Sequence, residues 1–254
     1  MLGRVTAHDF NRAIVADVAH RPWPMPDGPW IMRQTWHNLL FAHWPIDAAV
    51  LRAHVPDEFA LDLFDGAAWL GIVPFSMTNV APRAVPSLPG LSEFPELNVR
   101  TYVRVGDKPG VYFFSLDAAS AVAVQAARAL LNLPYHTAAM GLTRQDGRIG
   151  YDSRRKDSGA SLTASYRPTA EPFEPAPHSL EYFLTERYCL YNRDHRGRPY
   201  RLDIHHPPWS LQSAEAEFTQ NTMADANGLS LPDTPPLLHF ARRQDMVLWM
   251  PAAL

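Results

Sequence analysis

Glu96-Leu97-Asn98-Val99-Arg100-Thr101-Tyr102-Val103-Arg104 alternates without a break between large polar side chains and apolar or small ones. A strand sends successive side chains to opposite faces, so Glu96, Asn98, Arg100, Tyr102 and Arg104 share one side. Leu97, Val99, Thr101 and Val103 share the other. On an open sheet the polar side would simply be wetted, with Arg100 holding Glu96 ionised. On a curled sheet the same side would line a cavity. An acid, an amide, a guanidinium and a phenol converging there suit recognition of a small carboxylate or carbonyl compound. The choice rests on what surrounds this strand.

Strand signals surround it on both sides. Gly106-Asp107-Lys108-Pro109-Gly110 is a turn, and residues 111–116 return as the second arm of a hairpin. Asp65-Gly66 between residues 61–64 and 67–80 is another hairpin signal. Residues 30–44 read as a long strand or a bent strand pair, and Asp47 is placed to cap a short helix over residues 48–54. Asp117 is placed to cap a helix over residues 118–131. Further strands fit residues 136–144, 148–154, 161–167, 187–192, 200–206, 214–221, 237–241 and 246–250, with a short helix starting near Ser179. Thr6-Ala7-His8-Asp9 has capping-box form, so a helix is expected to about residue 19, followed by a stiff connector at Pro22, Pro24, Pro26 and Pro29. The expectation is one β-rich α+β domain over residues 1–254. Residues 1–28 are the helix and connector, and residues 29–250 a single curled antiparallel β system with helices packed outside.

Composition narrows the function classes. Of 254 residues 46% are hydrophobic and 19% charged, enough apolar material for a large core. The formal net charge of -3 and the lack of any like-charge block argue against nucleic acid or an anionic membrane as partner. Arg154-Arg155-Lys156, followed by Asp157, reads as a solvated turn. A single cysteine, Cys189, allows no internal disulfide and suits a reducing compartment. No signal-peptide pattern and no spanning apolar run is found, so a cytoplasmic protein is expected. The oligomeric state stays open, with room for a homo-oligomer.

Recognised catalytic motifs are missing: no G-x-S-x-G elbow, P-loop, G-x-G-x-x-G turn or HExxH occurs. Trp36-His37-Asn38-Leu39-Leu40-Phe41-Ala42-His43-Trp44 places His37 and His43 on one face among aromatics. There a histidine is either a hydrogen-bonded core residue or a ligand contact. His205 and His206 point oppositely on a strand and could jointly grip a metal only through a bend at Pro207-Pro208, with Glu215 or Glu217 completing a two-histidine, carboxylate site. No recognised ligand spacing supports this, and no metal or cofactor is expected.

Trp36…Leu40-Phe41-Ala42-His43-Trp44-Pro45, Trp69-Leu70-Gly71-Ile72-Val73-Pro74-Phe75 and Phe94-Pro95-Glu96-Leu97-Asn98-Val99-Arg100-Thr101-Tyr102-Val103 together resemble the YqjF-like family of uncharacterised bacterial proteins. Phe113-Phe114-Ser115-Leu116-Asp117, Leu133-Pro134-Tyr135, His206-Pro207-Pro208-Trp209 and Leu238-His239-Phe240 extend the resemblance over roughly residues 28 to 250. That family looks related to the acetoacetate decarboxylase-like superfamily, whose fold is a cone-shaped antiparallel β-barrel with an internal active site. The resemblance therefore implies that the Glu96 face points inward. It also implies a paired lysine after a Gly-aromatic-Pro segment, one forming a Schiff base. The corresponding segment here is Asn132-Leu133-Pro134-Tyr135-His136, with tyrosine and histidine in place of the lysines. Lys108 and Lys156, both in turns, do not replace them. Glu96 matches the active-site glutamate of those enzymes.

The residues then expected to act are Glu96, His136 and Tyr135 in proton transfer or oxyanion stabilisation, with Arg100, Asn98, Tyr102 and His43 binding the substrate. The enzyme this describes uses acid–base chemistry on a small oxo- or carboxylate-bearing compound without a Schiff-base lysine. A non-catalytic ligand-binding or sensing protein of the same fold is the alternative, and a chiefly structural protein a third.

Overall fold

The computed structural model describes residues 14–87 and 92–254. In chain order these form β1 (Met32–Ile46), α1 (Ala48–Arg52), β2 (Ala60–Leu61), β3 (Ala68–Pro82), β4 (Phe94–Val105), β5 (Lys108–Ala118) and α2 (Ala121–Leu131). There follow β6 (Tyr135–Gln145), β7 (Arg148–Arg155), β8 (Ser161–Pro168), α3 (Leu180–Thr185), β9 (Cys189–Arg193) and β10 (Pro199–His205). The chain ends with β11 (Leu211–Asn221), β12 (Leu237–Leu248) and β13 (Ala252–Ala253). The helix expected from Thr6 lies mostly outside the described residues; residues 14–16 are helical.

Strand pairings run β1–β3–β4–β5–β9–β10–β12 and back to β1, a closed circuit that shapes a cone. The closure is thin at two seams. β5 meets β9 through one parallel bridge, Val111 opposite Leu190, and β10 meets β12 only at Ile204 and His205. The ring is therefore a cone and not strictly a barrel. A second wall, β6–β7–β8–β11, leaves the circuit at β5 and rejoins it at β12. It covers the outer face of β1, β3 and β4.

This second wall decides the fate of β4. Leu97 and Val99 pack with Leu40, Leu70 and Ile72 against Tyr151, Leu162 and Tyr166 of the outer wall. The other face of the same strands turns into the cone. There Leu39, Phe41, Val73 and Phe75 pack with Trp209, and beyond them Tyr102 packs with Leu184, Leu202 and Met246. Each fully buried side chain of this size contributes about 1.5–3 kcal/mol, so both faces are firmly committed. The polar row of β4 is thus enclosed.

Several local expectations are corrected. Asp117 does not cap a helix: β5 continues to pair with β4 through Asp117 and Ala118, and α2 is capped by the hydroxyl of Ser120. Arg155 is not in a solvated turn but lies buried at the end of β7, gripping Asp117 at 2.8 Å. Asp65 and Gly66 both adopt positive φ, as a tight hairpin turn requires, yet only Phe64 and Ala67 pair across it and β2 joins β4 instead. The two strands expected over residues 237–241 and 246–250 are one continuous β12. Asp47 and Ser179 cap α1 and α3 at the expected positions.

Candidate functional site

The site is built from neighbouring strands in register. Phe75, Val73 and Gly71 of β3 lie opposite Glu96, Asn98 and Arg100 of β4, and His43 of β1 lies opposite Gly71. At the Arg100 level the sheet interior thus reads His43, Gly71, Arg100. A β-carbon on Gly71 would stand 3.0 Å from two ring atoms of His43 and 3.4 Å from Arg100 Cγ. Glycine here is the space that lets the imidazole and the guanidinium approach.

Glu96 is 4% exposed. Removal from water raises its carboxyl, the hydrogen bond from Tyr135 opposes the rise, and the nearby Asp117 carboxylate adds to it, leaving the pKa at about 8. Tyr135 OH donates to Glu96 Oε2 at 3.0 Å, and Tyr151 OH donates to the Glu96 backbone carbonyl at 2.6 Å. The side chain is held while its charge is disfavoured.

At the other end of the row, Arg100 Nη2 donates to the Leu184 carbonyl at 3.2 Å, and the guanidinium lies over the Phe41 ring at 5.4 Å. Tyr102 OH donates to the same carbonyl at 2.8 Å. Its oxygen must then accept from His43 Nε2, 2.6 Å away, which leaves His43 Nδ1 as a bare acceptor. Burial, with Arg100 and His239 nearby, holds His43 well below the usual histidine pKa, so it is neutral.

Three polar atoms in this row carry no hydrogen bond and are not sealed from solvent: Glu96 Oε1, Asn98 Nδ2 and Arg100 Nη1. Asn98 Oδ1 and Arg100 Nε are sealed and unpartnered. Buried polar groups are nearly always hydrogen-bonded, so a row of unengaged ones facing inward calls for a ligand or ordered water. Beside the row runs an aromatic track. Phe75 meets Trp36 at 5.9 Å, Trp36 stacks on Trp209 at 6.1 Å, and Trp209 meets Phe41 at 5.0 Å.

Residues 33–245 match the model of DUF2071, described as an uncharacterized conserved protein family (COG2071). The chain belongs to this family. As a DUF2071 member it is 51% identical over 226 residues to the uncharacterized protein YqjF of Bacillus subtilis (strain 168), covering 89% of this chain and 93% of that one. Among solved structures it is similar to acetoacetate decarboxylase from Legionella pneumophila, with TM-score 0.62, 13% identity, and 93% of each chain covered. It is also similar to the enduracididine biosynthesis enzyme MppR complexed with pyruvate, with TM-score 0.60, 12% identity, and 92% of this chain and 93% of that chain covered. At such identities the likeness is one of fold.

In this DUF2071 chain the residues named from sequence divide into three groups. Glu96 and Tyr135 are hydrogen-bonded to each other. Asn98 lies between them and the Arg100, Tyr102 and His43 group. His136 is separated from both: adjacent to Tyr135 on β6, it points to the opposite face and pairs with Asp157 at 2.8 Å, its side chain 30% exposed. Arg104, the last member of the alternating row, is also exposed and pairs with Asp62. Lys156 is exposed and Lys108 Nζ lies 5.8 Å from the Trp23 ring, so neither enters the row.

His206 stacks on Tyr188 and hydrogen-bonds backbone carbonyls, while Glu215 is held by Arg148 and Arg167. The two do not meet, and no cluster of three metal-ligating side chains exists among the described residues. No helix among them is long and apolar enough to cross a membrane. Sequence reasoning missed Gly71, whose signal was a glycine inside an apolar strand pattern, and the buried Asp117–Arg155 pair, which alternation alone cannot reveal.

Proposed function

We propose that the Glu96–Asn98–Arg100 row binds a small oxo acid and that Glu96 carries a proton to and from the carbon beside its carbonyl. The observation that supports this most strongly is the buried Glu96 carboxyl, hydrogen-bonded by Tyr135 on one oxygen and free on the other. A carboxyl with a pKa of about 8 is ionised in part at neutral pH and strongly basic when it is. In the reaction the Glu96 carboxylate takes a C–H proton. The C–H electron pair becomes the enolate double bond, and the carbonyl pair moves onto oxygen. Asn98 Nδ2 is the donor for that oxygen, the Tyr135 hydroxyl steadies the Glu96 carboxylate, and Arg100 Nη1 binds the substrate carboxylate. Return of the proton completes the cycle.

Decarboxylation through an amine adduct is not part of this proposal, because Tyr135 and His136 stand where a lysine pair would be needed. The pyruvate held by MppR, a protein of the same fold, supports an oxo acid as ligand without setting the length of its carbon chain. A buried free thiol at Cys189 is in keeping with action in the cytoplasm.

The test is solvent exchange. Oxo acids are incubated in D2O with the protein, and loss of the proton signal beside the carbonyl is followed by NMR. Exchange is expected, falling by about 10²–10⁴-fold in Glu96→Gln. Arg100→Ala should raise KM for keto acids and leave simple ketones unaffected. Saturable binding without exchange would establish the non-catalytic binder instead. Neither binding nor exchange would leave the row a structural feature.

A further inference from the structure

The two ends of the polar row are too far apart to act on the same three- or four-carbon acid. The Cα atoms of Glu96 and Arg100 are four residues apart on one strand, about 13 Å at a strand rise of ~3.3 Å per residue, and Arg100 Nη2 is turned away from Glu96 toward the Tyr102 hydroxyl at 3.4 Å. Arg100 cannot swing freely toward Glu96. Its Nη2 is tied to the Leu184 carbonyl, its Cζ lies 5.4 Å from Phe41 and 5.7 Å from Tyr102, and its Cγ lies against Gly71. Glu96 is fixed at its own end by Tyr135. With each head held near the level of its own Cα atom, allowing ~3 Å for a hydrogen bond at each end leaves on the order of 7 Å for the ligand to span.

What lies along that span is apolar and flat. Phe75 is the cross-strand neighbour of Glu96, Phe41 is the ring under Arg100, and Trp36 and Trp209 join them through ring contacts of 5.9, 6.1 and 5.0 Å. Trp36 and Tyr135 are half-buried although both pack against two of the apolar clusters inside the cone, so part of each ring is left uncovered. Such walls favour an aromatic or extended hydrocarbon segment with polar atoms only at the ends, the ketone oxygen turned toward Asn98 Nδ2.

We infer that the substrate is a keto acid whose carboxylate and reacting carbonyl are separated by an apolar spacer of about four methylenes or one aromatic ring, and not a 2-oxo or 3-oxo acid of three or four carbons. This rests on the proton-transfer reading above and specifies its substrate. Arg100 takes the remote carboxylate, the aromatic track takes the spacer, and Glu96 with Asn98 meets the ketone.

The experiment uses methyl ketones with a terminal carboxylate and one to five methylenes between, from acetoacetate through levulinate and 5-oxohexanoate upward, together with 4-acetylbenzoate. Binding is read from tryptophan fluorescence and methyl-proton exchange in D2O from NMR, on the full chain. Affinity and exchange are expected to rise at least 10-fold from one methylene to four, with 4-acetylbenzoate equal to the best. Arg100→Ala should abolish the length preference, and Trp36→Ala should remove the preference of 4-acetylbenzoate over the flexible acids. A maximum at acetoacetate would overturn the spacer inference and leave the proton-transfer reading standing. Absence of exchange across the whole series would overturn both.

Discussion

Replacing Glu96 by glutamine should make the protein more stable as pH rises, relative to the parent. The parent carboxyl has an ordinary pKa of 4.5 when unfolded and about 8 when folded. Below the lower value both states are protonated and nothing is lost. Between the two values the unfolded chain releases a proton that the folded protein keeps, so stability falls with pH. Above about 8 the full difference is present. At 1.36 kcal/mol per unit, the 3.5-unit gap corresponds to about 5 kcal/mol, of which about 4 appear between pH ~5 and ~9. That is a large fraction of a typical domain's 5–15 kcal/mol. Glutamine keeps the acceptor for Tyr135 OH and removes the titration, and every other titrating group is common to both proteins. Urea unfolding of each at intervals from about pH 5 to 9 gives the difference directly. Parallel stability curves would mean that Glu96 is ionised and well solvated in the folded protein, and the proton-carrier role would be lost.

Gly71→Ala should weaken ligand binding by about tenfold and cost roughly 1–3 kcal/mol of stability, because the new methyl meets His43 at 3.0 Å; isothermal titration and urea melts read both effects. Arg155→Met should cost about 3–5 kcal/mol by leaving buried Asp117 without its partner, measured by denaturant unfolding, and adding Asp117→Leu should recover much of it. Cys189 is fully buried, and burial pushes its thiol up to about 12, so a disulfide reagent should react with it only at the rate of unfolding. Tyr135→Phe removes the one hydrogen bond that lowers the Glu96 pKa, so the midpoint of Glu96 titration should move above about 8 in carboxyl NMR.

The alternation from Glu96 to Arg104 was legible because a strand's period is fixed at two whatever surrounds it. Whether its polar side met water was not, since that depends on β6 to β8 and β11 covering the apolar side, a pairing between residues far apart in the chain. The family resemblance supplied that missing fact. Tyr135 and His136 show the same limit at finer scale. Both stood in the segment corresponding to the expected lysine pair, yet adjacent strand positions face opposite ways and only one can reach Glu96. The position of Asp117 illustrates a competition: its side chain suits a helix cap, but its backbone pairs with Leu97 and its carboxylate meets Arg155. Arg155 looked like a surface charge because its partner lies 38 residues away. Gly71 carried a sequence signal, a glycine between large apolar neighbours, that gained meaning only once His43 and Arg100 were seen on either side.

The rate of deuterium exchange of 5-oxohexanoate against pH, for the parent and Glu96→Gln, bears on proton transfer itself. The parent rate should climb about tenfold per pH unit and level off at about 8, as the Glu96 carboxylate becomes fully ionised, while the variant stays near the uncatalysed rate. A parent profile without a break near 8, or a variant as active as the parent, would contradict the assignment of Glu96 as the proton carrier.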